Sequence, residues 1–352
     1  MEDKTIPFSW KSITETMENS LLDFSVNINA LGIPETVKQQ LPNLSDIAGV
    51  YPDSGCKYLS SCLAKKYHIR TSRILCGNGA DDLLYRLVFA AKPKHAVVCE
   101  PTFEEYSRAL KLVGCEVHHY TGKADNNFSL DEGILPAIQT DCDMVFLCNP
   151  NNPTGQIVSP QLLHRIIECC QRNQVLLAVD ECFIEFLPDW EKYTLKGLAA
   201  QSENLIVIDA FTKTYSMAGF RLGFCISGNA DLLSDMRLCG QSFAVSTPAQ
   251  LAGVCALMDR SYMEKTYQML SPEREWLFSE LQVFPLKVYP SKGNFFLIKT
   301  EKRNIGQILL ENGVKVRDCS RFYGLDSDYC RIAILTHDKN MALVKVLKTI
   351  FI

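Results

Sequence analysis

No stretch of this sequence is apolar over the roughly 18 to 20 residues that a membrane-crossing helix requires. No block of basic residues occurs either, and 36 Lys and Arg stand against 40 Asp and Glu for a net charge of −4. The first absence argues against a membrane protein, and the second removes the electrostatic footprint of a nucleic-acid binder. The first twenty residues, MEDKTIPFSWKSITETMENS, lack the apolar core of a secretory signal, so a cytoplasmic protein is expected. Cys-x-x-Cys is missing as well, although cysteine itself is plentiful, with 15 in 352 residues. An odd count leaves at least one thiol unpaired. Cys76, Cys99, Cys148 and Cys225 end or interrupt short apolar runs, where cysteine serves as a small hydrophobe. Reduced structural thiols are the expectation, with no metal.

What the chain does contain, 47% hydrophobic and 22% charged residues, is the composition of a globular protein with material for a large domain and a smaller one. Short apolar runs alternate with segments of helical period between about residues 70 and 230. The runs are Arg73 to Cys76, Ala96 to Cys99, Met144 to Cys148, Val175 to Val179, Leu205 to Ile208 and Gly223 to Ile226. Runs without polar alternation are buried on both faces, the habit of a mainly parallel sheet flanked by helices. The sequence therefore reads as α/β. From about Asp259 the pattern changes to a long helix, a Pro-bounded turn near Pro285 to Pro290, and strands at Phe295 to Ile298 and Cys330 to Ile334. The expected organisation is an N-terminal arm with part of a small domain over 1–44, a large domain over 45–258 and a small α+β C-terminal domain over 259–352.

Ligands of open α/β sheets bind at the carboxyl ends of the strands, so the residues just past each run matter most. After Cys76 comes Gly77-Asn78-Gly79-Ala80-Asp81-Asp82 and then a helix start. Such a turn exposes backbone N–H groups suited to a phosphate, and is equally a plain helix cap. A dinucleotide fingerprint would need a third glycine where Asp82 stands. After Cys148 comes Asn149-Pro150-Asn151-Asn152-Pro153-Thr154-Gly155, a stiff turn that presents an Asn side chain. Asp180 comes directly after five apolar residues, where an acid ordinarily needs a cationic partner. After Ile208 the chain carries Lys213, with Arg221 eight residues further on. A lysine just past a buried strand can be desolvated as Schiff-base chemistry requires, and arginine offers a fork for phosphate. Together these endings supply the parts that pyridoxal phosphate uses: an imine-forming lysine, an acid for the pyridine nitrogen and phosphate ligands.

The segments NNPTG (151–155), VDECFIEF (179–186) and FTKTYSMAGFRLG (211–223) make the chain resemble the fold-type I pyridoxal-phosphate enzymes of the class I/II aminotransferase family over nearly its whole length. The resemblance implies pyridoxal 5′-phosphate bound as a Schiff base to Lys213, with Asp180 on the pyridine nitrogen. It also implies Asn152 on the ring oxygen, Phe103 stacked on the ring, and Thr212, Arg221, Gly79, Ala80 and Asp81 around the phosphate. Tyr51 would reach the phosphate of the neighbouring subunit, which implies a homodimer.

Within that family, LLDFSVNINALGIP (21–34), EPTFEEYSRAL (100–110), LCNPNNPTG (147–155) and VRDCSRFYGLDSDYCRIAI (316–334) resemble the histidinol-phosphate aminotransferase branch and, inside it, the threonine-phosphate decarboxylases of cobalamin biosynthesis. Phe183 agrees with the latter, where the aminotransferases commonly have Tyr, whereas the His-Gly-Gly that the decarboxylases carry near the N-terminus has no counterpart in residues 1–20. The resemblance implies that Arg317 and Arg331 grip the anionic groups of a phosphorylated amino acid, with Asn27 assisting. Decarboxylation of threonine or serine phosphate is the first expectation, and transamination of histidinol phosphate or a related amino acid with 2-oxoglutarate the alternative. A pyridoxal-phosphate-binding module of a regulator is the third reading, disfavoured because no basic helix-turn-helix segment precedes the fold and Lys213, Asp180 and Arg221 are all present.

Overall fold

The computed structural model describes residues 21–139, 141–301 and 304–351. The segment that lacks a His-Gly-Gly therefore lies outside the described residues. Strand β1 (Leu22–Asp23) comes first, and seven strands build the main sheet. They are β2 (Ile74–Gly77), β3 (His95–Glu100), β4 (Glu116–Thr121), β5 (Met144–Cys148), β6 (Leu176–Asp180), β7 (Leu205–Ala210) and β8 (Gly223–Ile226). Their order across the sheet is β2-β8-β7-β6-β5-β3-β4. Strands β7, β6, β5, β3 and β4 are mutually parallel, while β8 runs antiparallel to both β7 and β2.

Alternate residues of these strands enter two separate cores. Val145 and Leu147 of β5 pack on one face with Leu177, Val179 and Val207, whereas Met144, Phe146 and Cys148 pack on the other with Ala178, Ile206 and Ile208. Burial on both faces is why the strands lack polar alternation. The helices that cover them include α1 (Lys57–Tyr67), α2 (Ala80–Ala91), α3 (Glu105–Leu112), α4 (Pro160–Arg172), α5 (Ala230–Leu238) and α6 (Thr247–Met258). Helix α4 starts where Ser159 accepts a hydrogen bond from the Leu162 N–H and Pro160 supplies a pre-set first turn.

After α7 (Tyr262–Leu281) come β9 (Leu286–Val288), β10 (Phe295–Thr300), α8 (Ile305–Glu311), β11 (Val314–Lys315), β12 (Arg317–Asp318), β13 (Tyr329–Ala333) and α9 (His337–Phe351). Four of these strands form an antiparallel sheet ordered β12-β13-β10-β9, and β1 pairs in parallel with β11. Residues 286–288, expected in a turn, are thus an edge strand paired with β10. Flanking prolines are compatible with an edge, where one row of N–H groups needs no partner. The core under this sheet joins Phe24 and Phe183 to Leu277, Phe295, Ile332 and Leu343, so the two sheets share packing beside the end of β7.

All fifteen cysteines are free thiols. Among the described residues no helix is long and apolar enough to cross a membrane, and no cluster of His, Cys, Asp and Glu is arranged for a metal ion.

Candidate active site

The ends of β2, β5, β6 and β7 and the start of β8 meet at one edge of the main sheet, because β8 is reversed: Gly223 opposes both Ala210 and Gly77. A cavity of about 160 Å³ opens there, lined by Ala80, Asp81, Phe103, Asn152, Asp180, Thr212, Lys213 and Arg221 among the residues expected from sequence. Tyr106, Cys148, Cys182, Phe183 and Ala210 complete the wall.

Lys213 lies in the single helical turn Phe211–Thr214 directly after β7. Asn29 clamps this turn, donating its backbone N–H to the Lys213 carbonyl at 3.0 Å and its side-chain amide to the Thr214 carbonyl at 3.0 Å. The Lys213 ammonium donates to Asn27 Oδ1 at 3.1 Å and lies 5.8 Å from the centre of the Phe183 ring. Burial, reinforced by the charge of Arg331, lowers its pKa to about 8. A substantial fraction of the amine is therefore neutral near physiological pH, as a nucleophile or proton carrier needs.

Asp180 ends β6 and opposes Cys148 of β5. Its carboxylate is held by neutral donors: the Tyr106 hydroxyl donates to Oδ2 at 2.6 Å and the Cys182 N–H donates to Oδ1 at 2.9 Å. The buried lysine of this region pairs instead with the next residue, since Lys196 Nζ lies 2.9 Å from both Glu181 and Asp209. The sequence motifs do not point to Tyr106. Phe103 lies in the loop just before α3 and Tyr106 in its first turn, and the Tyr106 N–H donates to the Phe103 carbonyl at 3.3 Å; the two rings meet edge to face at 5.8 Å.

On the opposite wall, Gly79 precedes α2 with φ +88° and ψ 172°, a conformation essentially reserved for glycine. A Cβ on Gly79 would stand 2.8 Å from Arg221 Nη2, and one on Gly223 would stand 2.6 Å from the Gly79 carbonyl carbon and 2.7 Å from the Ala80 nitrogen. These two glycines let the start of α2, the strand β8 and the Arg221 guanidinium crowd together. The result is a cradle of backbone N–H groups at a helix N-terminus beside an arginine, suited to a phosphate. Arg221 lies 3.4 Å from Asp81, whose carboxyl is raised by burial although Arg221 opposes the rise.

Arg331 of β13 is buried, donates to Asn152 Oδ1 and, at 2.8 Å, to the Ser25 carbonyl, and keeps its Nε without a partner among the described residues. Asn27 is likewise buried, with its amide Nδ2 unpartnered among them. Two buried donors left free beside Lys213 and Asn152 point to a ligand that brings acceptor oxygens. Arg317 opposes Arg331 directly in the β12–β13 register, outside the cavity lining, 3.8 Å from Glu104. Tyr51 also lies outside the lining, 81% exposed with its ring 5.1 Å from that of Phe243. An amine of lowered pKa, an oriented carboxylate and a phosphate cradle on three walls of one cavity fit pyridoxal phosphate.

Residues 19–347 match the family model described as aminotransferase class I and II. The chain is 34% identical over 335 residues to a threonine-phosphate decarboxylase of Salmonella typhimurium, covering 94% of this chain and 92% of that protein. It is 29% identical over 342 residues to a histidinol-phosphate aminotransferase of Methanosphaera stadtmanae, covering 95% and 91%. Among solved structures, the histidinol-phosphate aminotransferase of Clostridium acetobutylicum superposes with a TM-score of 0.87 at 27% identity, over 94% of this chain and 99% of that one.

Proposed function

The chain belongs to the class I and II aminotransferase family and works with pyridoxal 5′-phosphate, and from that premise we propose that it decarboxylates an O-phosphorylated amino acid, threonine phosphate first and serine phosphate second. The product would be an amino-alcohol phosphate of the kind used for the cobalamin nucleotide loop. The observation that carries this reading is the direct opposition of Arg317 and Arg331 on adjacent strands. Like charges facing each other across an antiparallel pair are unfavourable by themselves. With one guanidinium buried and its Nε free, the pair suits a substrate that carries an anion besides its carboxylate.

Bound in the cavity, pyridoxal phosphate supplies an aldehyde for amines and a protonated ring that accepts the electron pair of a departing group. The chain's own residues do the rest. Asp180, fixed by Tyr106 and the Cys182 N–H, would hold the ring nitrogen protonated. Gly79, Ala80, Asp81, Thr212 and Arg221 would hold the cofactor phosphate, with Phe103 and Asn152 as further cofactor ligands in the cavity wall. Arg331, Arg317 and Asn27 bind the substrate's anionic groups. When the carboxylate leaves as CO₂, Cα takes up a proton from Lys213 or a water. In our assignment the enzyme is a cytoplasmic homodimer in which the exposed Tyr51 reaches the neighbouring site.

The second reading, transamination of histidinol phosphate or a related amino acid with 2-oxoglutarate, is supported by the relatives of that name. There Lys213 would remove the Cα proton instead. Incubation of the purified enzyme with threonine phosphate separates the two. CO₂ and aminopropanol phosphate formed without a keto acid support decarboxylation; product that appears only with 2-oxoglutarate, together with glutamate, overturns it.

A further inference from the structure

Glu104 stands between Phe103 of the cavity wall and the start of α3, and is not among the residues that line the cavity. Its carboxylate lies 3.8 Å from Arg317 Nη2, with the two side chains 44% and 42% exposed. The ion pair joins the N-cap of α3 to strand β12 of the four-stranded sheet. Arg317 also rests with its guanidinium carbon 5.8 Å from the centre of the Phe322 ring. Directly across from it is Arg331, so two positive side chains share one face of neighbouring strands.

We propose that Glu104 is the resident counter-anion of Arg317, which the distal anionic group of the substrate displaces, so that Glu104 sets the KM for anionic substrates. The inference rests on the reading of Arg317 as a substrate ligand. While the site is free of substrate, Glu104 offsets the repulsion between the two arginines and keeps Arg317 turned toward α3. A phosphate brings close to two charges and three acceptor oxygens, more than the single carboxylate that it replaces. A substrate with an uncharged side chain leaves the pair intact and gains nothing from Arg317.

Glu104→Gln removes the charge from an exposed side chain and keeps its shape. The KM for O-phosphothreonine should fall about two- to five-fold, the worth of releasing one exposed ion pair, with kcat unchanged. In titration calorimetry the holoenzyme should bind inorganic phosphate more tightly by a similar factor, while the KM for threonine stays where it was. If Glu104→Gln changes neither KM nor phosphate affinity while Arg317→Gln weakens both, Glu104 is no competitor, although the role of Arg317 stands. If Arg317→Gln leaves both unchanged, the assignment of Arg317 fails and takes the proposal with it. A rise in KM for phosphothreonine and threonine alike would show that Glu104 only supports the site's shape, and would equally overturn the proposal.

Discussion

The Tyr106 hydroxyl donates to Asp180 Oδ2 at 2.6 Å, and both groups face the cavity that Lys213 enters. Burial holds the Tyr106 phenol well above its ordinary pKa, so it remains a donor at any working pH. Its ring stacks at 5.1 Å on Phe146 of β5, which leaves the hydroxyl little freedom to turn away. Asp180 therefore has one oxygen committed to a rigid phenol and the other to the Cys182 N–H.

Tyr106→Phe should keep the fold and the ring packing while freeing one Asp180 oxygen. We expect the mutant to bind pyridoxal phosphate and to lose about tenfold in kcat, the cost of roughly one hydrogen bond to a charged group. Steady-state kinetics on the reconstituted enzyme measure this. A kcat equal to that of the parent would mean that Asp180 is held well enough by Cys182 alone.

Much of the architecture was legible because burial on both faces leaves a plain mark: the runs around Val98, Phe146, Val179 and Ile208 are strands of the main sheet within a residue or two. Strand β4 left no such mark. It is one edge of the sheet, its residues Glu116 to Thr121 are all exposed or half-buried, and Glu-Val-His-His-Tyr-Thr reads as polar. The reversal of β8 was hidden for a different reason, since the direction of a strand depends on how its connections travel and not on its composition. In the site, Lys213 and Asp180 were readable from their positions after apolar runs. The pairings of Arg331 with Asn152 and of Arg317 with Glu104 join residues far apart in the chain, which no local pattern reports.

Gly79→Ala should cost the enzyme its cofactor before it costs the fold. The backbone there carries a conformation that a side chain adopts only at about 1–3 kcal/mol, and the new Cβ would push against Arg221. Displacement of that guanidinium should weaken pyridoxal phosphate binding by roughly tenfold or more, in proportion to that strain. Equilibrium dialysis against the cofactor gives the constant. Retention of the parent affinity would remove the Gly79 turn from the phosphate site.

Lys196 is 1% exposed and ion-pairs with both Glu181 and Asp209, which sit beside Asp180 and just ahead of the Lys213 turn. A second pair, half-buried Lys66 with buried Glu185 at 2.7 Å, lies in the same region, where Lys66 also donates to the Tyr215 hydroxyl at 3.0 Å. Lys196→Ala leaves two carboxylates facing one another in a dry interior, and should destabilise the protein by about 3–5 kcal/mol. Urea denaturation monitored by circular dichroism would show the midpoint fall. An exposed control, Lys192→Ala, removes a surface pair with Asp189 and should change the stability by less than about 0.5 kcal/mol.

The lowered pKa of Lys213 makes a prediction about pH whose sign comes from the environment. Buried beside Arg331, the amine titrates near 8 instead of near 10.5. In the unfolded chain the amine keeps its proton to higher pH, so the cost of burying its charge is present below pH 8 and fades as the pH climbs from there toward 10.5. Only the neutral amine attacks an aldehyde. The rate at which apoenzyme captures pyridoxal phosphate, monitored by absorbance after mixing, should therefore rise with pH and level off just above 8. Arg331→Gln removes a positive charge that opposes protonation of Lys213, and should move the midpoint upward toward that of an ordinary lysine. A capture rate that climbs without a break to the ordinary lysine value in the parent enzyme would show that Lys213 is solvated. A midpoint indifferent to Arg331→Gln would assign the whole depression to burial.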